Sequence, residues 1–366
     1  MNIGFNHDRW RHVREAYTAW WKGDLERPLV SITMPGPAPD RKKPDIPYRQ
    51  FTAHYDAGIP AETIVDCWDY RLASQRYAGD GFPSIWPNFG PGVGAAFAGA
   101  ELETDSNTVW FRPREERAID ELTFSFEADS PEFQRIAAIY RSAADRWQGA
   151  VQLSMTDLGG AVDLLSTFRP GENLLFDLYD NPDHVKRAVD ELHAVWWDAF
   201  ETFEDILQPV NPGYTAWTPI FSESRYYMLQ CDFAYMIGPD MFDEFVKPEL
   251  ISSCRRLENA FYHLDGPGQL PHLDSLLAIP ELKGIQWVPG AGERDVAHWP
   301  DIYRKIRDAG KLIQVFTGQF NGGLELADIL TKQLGSLKGV CIIADVPELD
   351  TVTMDILRRY DVPLHM

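Results

Sequence analysis

The strongest constraint in this chain is the regular alternation of short apolar runs and amphipathic stretches through its C-terminal half. Apolar runs occupy residues 214–221, 260–264, 284–288, 311–316 and 339–344, and helical periodicity fills 270–278, 299–309 and 324–334 between the last four. Alternation at intervals of roughly 25 to 30 residues predicts parallel βαβ units. Further apolar runs near residues 84, 151 and 228 bring the count to about eight strands, the number that closes a (β/α)8 barrel. A doubly wound open sheet is the rival, but no G-x-G-x-x-G follows the first strand. The expectation is an α/β fold, a TIM barrel over residues 81–366. A helical and loop extension, residues 1–80, would cap it. Residues 9–21 and 61–77 have helical period, and 26–35 read as a strand closed by proline. Residues 130–147 and 181–207 are helical, the latter opened by Asp180-Asn181-Pro182.

Charge excludes some functions. The chain carries 34 Lys plus Arg against 55 Asp plus Glu, a formal net charge of −21. Such a surface repels phosphate backbones and anionic membranes, so nucleic acid is not an expected partner. No apolar run reaches the roughly 18 residues of a membrane span, and the N-terminus shows no signal-peptide core. Cys67, Cys231, Cys254 and Cys341 follow no pairing motif, which fits a reducing cytoplasm. Aromatic residues reach 13%. They imply either a large core or a wide pocket with flat apolar walls.

In a barrel, chemistry gathers at the C-terminal strand ends. There the sequence offers Asp157, Glu223, Asp232, His263, Asp265, Gln286 and Asp345. His263 and Asp265 are two apart on one strand, so they share a face, and Gly266-Pro267-Gly268 ends that strand. A His and a carboxylate converging there suit a divalent metal; a metal-free His–Asp pair acting on a hydroxyl is the alternative. Cys341 is a candidate third ligand, or a small buried hydrophobe. It lies about 13 Å below Asp345 at ~3.3 Å per residue, which makes Asp345 or Glu223 a rival. Asp157, Glu223 and Asp232 are candidate acids or bases, with an ion pair to Arg225 as the plain alternative for Glu223 and Asp232. Trp217, Tyr226, Trp287, Asn88 and Gln286 are the candidate substrate contacts.

Four stretches carry a family resemblance: FPSIWPNFGPGVGAAFAGAELE, FRPGENLLFDLYDNPDHVKRAVDEL, CDFAYMIGPDMFDEFVKPEL and FYHLDG. The second is close to a G-x-x-x-L-x-x-D-L-x-D-x-P-x-x-V pattern, one residue shorter between Gly171 and Leu174, and the third to an S-P-x-x-F-x-x-F-x-x-P pattern, with Gly238 in place of the Ser. On these the chain resembles the uroporphyrinogen decarboxylase superfamily, especially its cobalamin-linked methyltransferase branch. The resemblance implies a TIM barrel with its site at the C-terminal mouth, and zinc held by His, Cys and a further Cys. The family's H-x-C aligns with His263-Leu264-Asp265, so Asp stands in place of the first thiolate, and Cys341 is the candidate for the second. It also implies a small-molecule substrate and a corrinoid held by a partner protein. A carboxylate hardens the site, which points away from a thiol as methyl acceptor. The decarboxylase branch grips pyrrole N–H groups with an Asp at the first strand end, where this chain has Asn88. Porphyrinogen decarboxylation therefore fits less well. Two alternatives remain: a metal-free hydrolase or lyase on a sugar-like ring, using Trp217, Trp287 and paired carboxylates, or a corrinoid- or tetrapyrrole-binding protein. The chain has no D-x-H-x-x-G corrinoid motif.

Overall fold

The computed structural model describes residues 3–318 and 323–364. Its strands are β1 (Leu29–Pro35), β2 (Gln75–Gly79), β3 (Ser84–Ile85), β4 (Ala100–Thr104), β5 (Val109–Pro113), β6 (Gln152–Leu153), β7 (Tyr226–Leu229), β8 (Asn259–Asp265), β9 (Leu282–Val288), β10 (Leu312–Gly318) and β11 (Val340–Asp345). Seven of them form one sheet in the order β2-β1-β11-β10-β9-β8-β7. Every pairing in it is parallel except β1 with β2. The fold is thus α/β with a mostly parallel central sheet. Among the described residues its ladder does not close into a ring: β3 and β6 form a separate parallel pair. β4 and β5, a hairpin not foreseen from the sequence, form an antiparallel one.

Residues 214–221 form no strand; a single bridge, Tyr214 to Ser222, is all that survives. Pro212 lies just before the segment and Pro219 within it, and neither has an N–H to donate to a ladder. The Thr215 carbonyl nevertheless accepts the Met155 N–H at 2.8 Å, which lays the segment beside the end of β6. The helix expected over 61–77 stops at Ala73, and Gln75–Gly79 turns back to pair antiparallel with β1. The extension therefore shares the central sheet with the last strand.

The N-terminal helix His7–Trp21 is capped by Asn6, whose side chain accepts the Arg9 N–H. It packs against the N-terminal ends of the strands, where Trp20 stacks on Phe261 at 5.7 Å and Trp21 lies 5.6 Å from Tyr226. Helix Pro182–Leu207 starts with proline in its first turn and buries an apolar stripe from Val185 to Leu207. It packs on helices Pro131–Trp147 and Ala161–Phe168, and Phe203 stacks on Phe133 at 4.6 Å. Most of the aromatic excess is core of this kind. No helix among the described residues is long and apolar enough to cross a membrane.

Candidate metal centre

Side chains alternate along β8, so Tyr262 and Leu264 are fully buried on one face while His263 and Asp265 share the other. Gly266, at φ 77°, ends the strand and turns the chain into Pro267–His272. β7 ends one strand away, and a tight turn, Asp232–Met236, opens immediately beyond it. Its first residue completes the group. The ligand atoms of Asp232, His263 and Asp265 all lie within 4.8 Å of one another. Asp232 stands exposed at the rim, and the other two are partly buried.

Electrostatics mark the place. Burial alone would lower the His263 pKa, but Asp265 and Asp232 outweigh it and hold it above the usual value. Although Asp232 is exposed as a residue, its carboxyl faces inward and loses enough water to be raised, with His263 opposing the shift and Asp265 adding to it. Among the described residues neither acid pairs with a Lys or Arg; the nearest partner is His263 Nε2, 3.8 Å from Asp265 Oδ2. One imidazole and two carboxylates without a compensating cation fit a divalent ion, and three protein ligands leave a position open for substrate. Below the group lies Asp157, which accepts from Gln230 Nε2 at 3.0 Å and the Gly159 N–H at 3.1 Å. Burial, with a contribution from Asp232, lifts it to about 7. The Trp217 ring meets the His263 ring edge to face at 5.1 Å.

Other residues named from the sequence lie elsewhere. Cys341 is fully buried near the start of β11, in register with Leu29, and its electrostatic neighbours are Tyr17, Tyr226 and Asp80. It is not in the group, because the strand runs four residues past it before reaching the mouth. Asp345, which does end β11, lines a cavity of about 1050 Å³ with Arg71, Thr33 and Glu325; none of the three clustered residues lines it. Glu223 precedes β7 and accepts from Thr18 Oγ1 of the N-terminal helix at 2.8 Å, at the opposite end of the sheet. Arg225 pairs instead with Glu204, at 2.6 Å. Tyr226, the first residue of β7, is buried at that same end. Trp287 points to the outer face of β9 and packs edge to face on Trp299 at 5.1 Å. Asn88 is absorbed in a turn: its N–H donates to Thr52 Oγ1 and its side chain accepts the Gly90 N–H, both at 3.0 Å. Gln286 reaches the site, but it accepts from His263 Nδ1 rather than facing a substrate.

Sequence reading missed Gln314, Asp163 and Glu249. The Gln314 side chain accepts from Gln286 Nε2 at 2.5 Å, and among the described residues its own amide N–H meets no acceptor. Asp163 accepts the Phe233 N–H at 2.8 Å and so holds the turn that carries Asp232. Glu249 accepts the Ala161 N–H at 3.0 Å. A signal existed for Gln314, a lone amide inside the apolar run LIQVF, in the same position as Gln286 in GIQWV.

No protein-family model matches the chain, and no curated protein matches it in sequence. Among solved structures it is similar in fold to a methyltransferase from Methanosarcina mazei, with a TM-score of 0.61 at 11% identity, over 95% of this chain and 99% of that one. At that identity the likeness is one of fold.

Proposed function

We propose that this chain is a metal-dependent methyltransferase on a (β/α)8 barrel, acting on a small molecule in concert with a corrinoid-bearing partner protein. Zinc would be held by Asp232, His263 and Asp265. The observation that carries the reading is the convergence of these three side chains at the C-terminal ends of two adjacent parallel strands. The fold likeness and the sequence resemblance both support methyl transfer as the reaction class. A zinc ion there supplies Lewis acidity, to a substrate oxygen or nitrogen more readily than to a thiol, given the carboxylate-rich donor set.

The chain's own residues do the rest. Trp217 walls one side of His263. Asp157, near 7, can carry a proton at neutral pH; Gln230 and the Gly159 N–H both donate to its Oδ1, which leaves Oδ2 to take the proton. Asp163 fixes the turn from which Asp232 reaches in.

The deciding test is elemental analysis of the purified protein beside His263→Ala, followed by spectroscopic assay with methylcobalamin. About one zinc per chain in the wild type, lost in the variant, is the expected result. A folded wild-type protein that holds no metal and cannot be reconstituted overturns the reading.

A further inference from the structure

The side chain of His263 is the near end of a buried polar row. In the sheet register His263 lies opposite Gln286 on β9, Gln286 opposite Gln314 on β10, and Gln314 opposite Cys341 on β11. Both glutamines are fully buried. Gln286 Oε1 takes the hydrogen bond of His263 Nδ1, and Gln286 Nε2 donates to Gln314 Oε1 at 2.5 Å. At the far end Gln314 Nε2 has no hydrogen-bond partner among the described residues. Two amides inside an apolar strand core are costly unless they fix something.

Their polarity says what they fix. An amide presents an oxygen on one side and an N–H on the other, so two amides in series can run in only two senses. In the observed sense Gln286 offers an acceptor to His263, Nδ1 must carry the proton, and Nε2 is left with its lone pair toward Asp232 and Asp265. In the reversed sense Gln286 would donate to Nδ1, the proton would sit on Nε2, and that nitrogen could ligate nothing. Because Gln314 accepts from Gln286, a flip of Gln286 alone would set two amide oxygens face to face, so the sense can change only if both amides turn together.

We propose that Gln286 and Gln314 are positioning residues, a two-amide relay that holds His263 in the Nδ1–H tautomer and presents Nε2 to the metal position. This rests on the reading of His263 as a ligand, but the tautomer can be measured without any metal.

The experiment uses metal-free full-length protein labelled with ¹⁵N-histidine, the His263 resonances assigned by their loss in His263→Ala, with the imidazole neutral. Long-range ¹H–¹⁵N correlations distinguish the two tautomers. The wild type is expected to show Nδ1–H, and Gln286→Leu to show Nε2–H or a mixture. Zinc affinity, measured by chelator competition, should fall in Gln286→Leu by roughly 10- to 100-fold, the usual effect of removing the group that orients a ligating histidine. Gln314→Leu should fall less. Gln286→Glu should keep both tautomer and affinity, because it retains the acceptor and Gln314 can turn its free amide N–H to meet the new oxygen. Circular dichroism and thermal melting confirm that each variant is folded. A wild-type Nε2–H tautomer overturns the relay, and so does a folded Gln286→Leu variant with tautomer and affinity unchanged. If no variant binds zinc but the tautomer shifts as expected, the relay stands and the metal reading fails.

Discussion

Asp265 is the residue on which the metal preference turns. A carboxylate oxygen at this position makes a harder donor set than a thiolate would, and the donors of Asp232 and His263 do not soften it. Asp265→Cys restores a soft donor at the same point of β8. Zinc should bind more tightly by roughly tenfold, ~1.4 kcal/mol, and cobalt substitution should add a thiolate charge-transfer band in the near ultraviolet. Unchanged affinity with no such band would remove Asp265 from the ligand set. Much of this site was legible residue by residue. The period of two along HLD and the glycine after it place His263 and Asp265 together at a strand end, whatever the rest of the fold. Asp232 was visible as an acid beyond a strand, but not as the third member. Its position depends on a turn pinned by Asp163, a contact between residues 70 positions apart. Cys341 was misleading for a related reason: a cysteine is equally at home as a buried hydrophobe, and only the register shows it deep in the sheet.

At the scale of elements, the turn that carries Asp232 is backed by a helix whose first residues sit on two buried acids. Glu249 reaches from helix Lys247–Arg256 to accept the N–H of Ala161, the first residue of helix Ala161–Phe168, and Asp163 lies in the first turn of that second helix. Burial, with the charge of Asp163 adding to it, lifts Glu249 from 4.5 to about 8. The sign follows from linkage. An acid whose folded value is raised stays protonated in the fold after the unfolded chain has ionised, so stability is full below about 4.5 and declines as pH rises toward 8. Each such proton contributes a slope of about 1.4 kcal/mol per pH unit. Glu249→Gln keeps the acceptor for Ala161 but cannot ionise. Its urea-unfolding midpoint should therefore fall less than the wild type's between about pH 5 and about pH 8. Identical pH profiles would show that Glu249 does not titrate in this way. Elements of strong period were legible here, the helices Pro131–Trp147 and Pro182–Leu207 and the strands β8 to β11 among them. Residues 214–221 were not, because an apolar run interrupted by Pro219 has the composition of a strand without its hydrogen bonds.

At the scale of the molecule, the first third of the chain is tied to its last strand. β1 pairs along its length with β11, and β2 closes the edge beyond it. Asp80, at the end of β2 and wholly buried, is the knot. It takes two hydrogen bonds from Arg27, at 2.7 and 2.8 Å, the Val30 N–H at 2.9 Å, and a contact of 2.9 Å with His12 of the N-terminal helix. Burial would raise its pKa, but Arg27 and His12 more than offset that and hold it below the usual range. The N-terminal extension read from the sequence as a cap is thus joined through one carboxylate to both the helix under the sheet and the sheet itself. Composition carries no mark of this, since Asp80 looks like any other acid in a chain of net charge −21. Asp80→Ala leaves the partly buried Arg27 without its carboxylate and the Val30 N–H without its acceptor, and should cost about 3 kcal/mol. Because β1 lies inside the sheet, the loss should lower the midpoint of a single cooperative transition that tryptophan fluorescence and circular dichroism both follow. If residues 1–80 were instead an independent cap, the variant would show two transitions, the earlier one leaving the His263 site and its metal affinity intact.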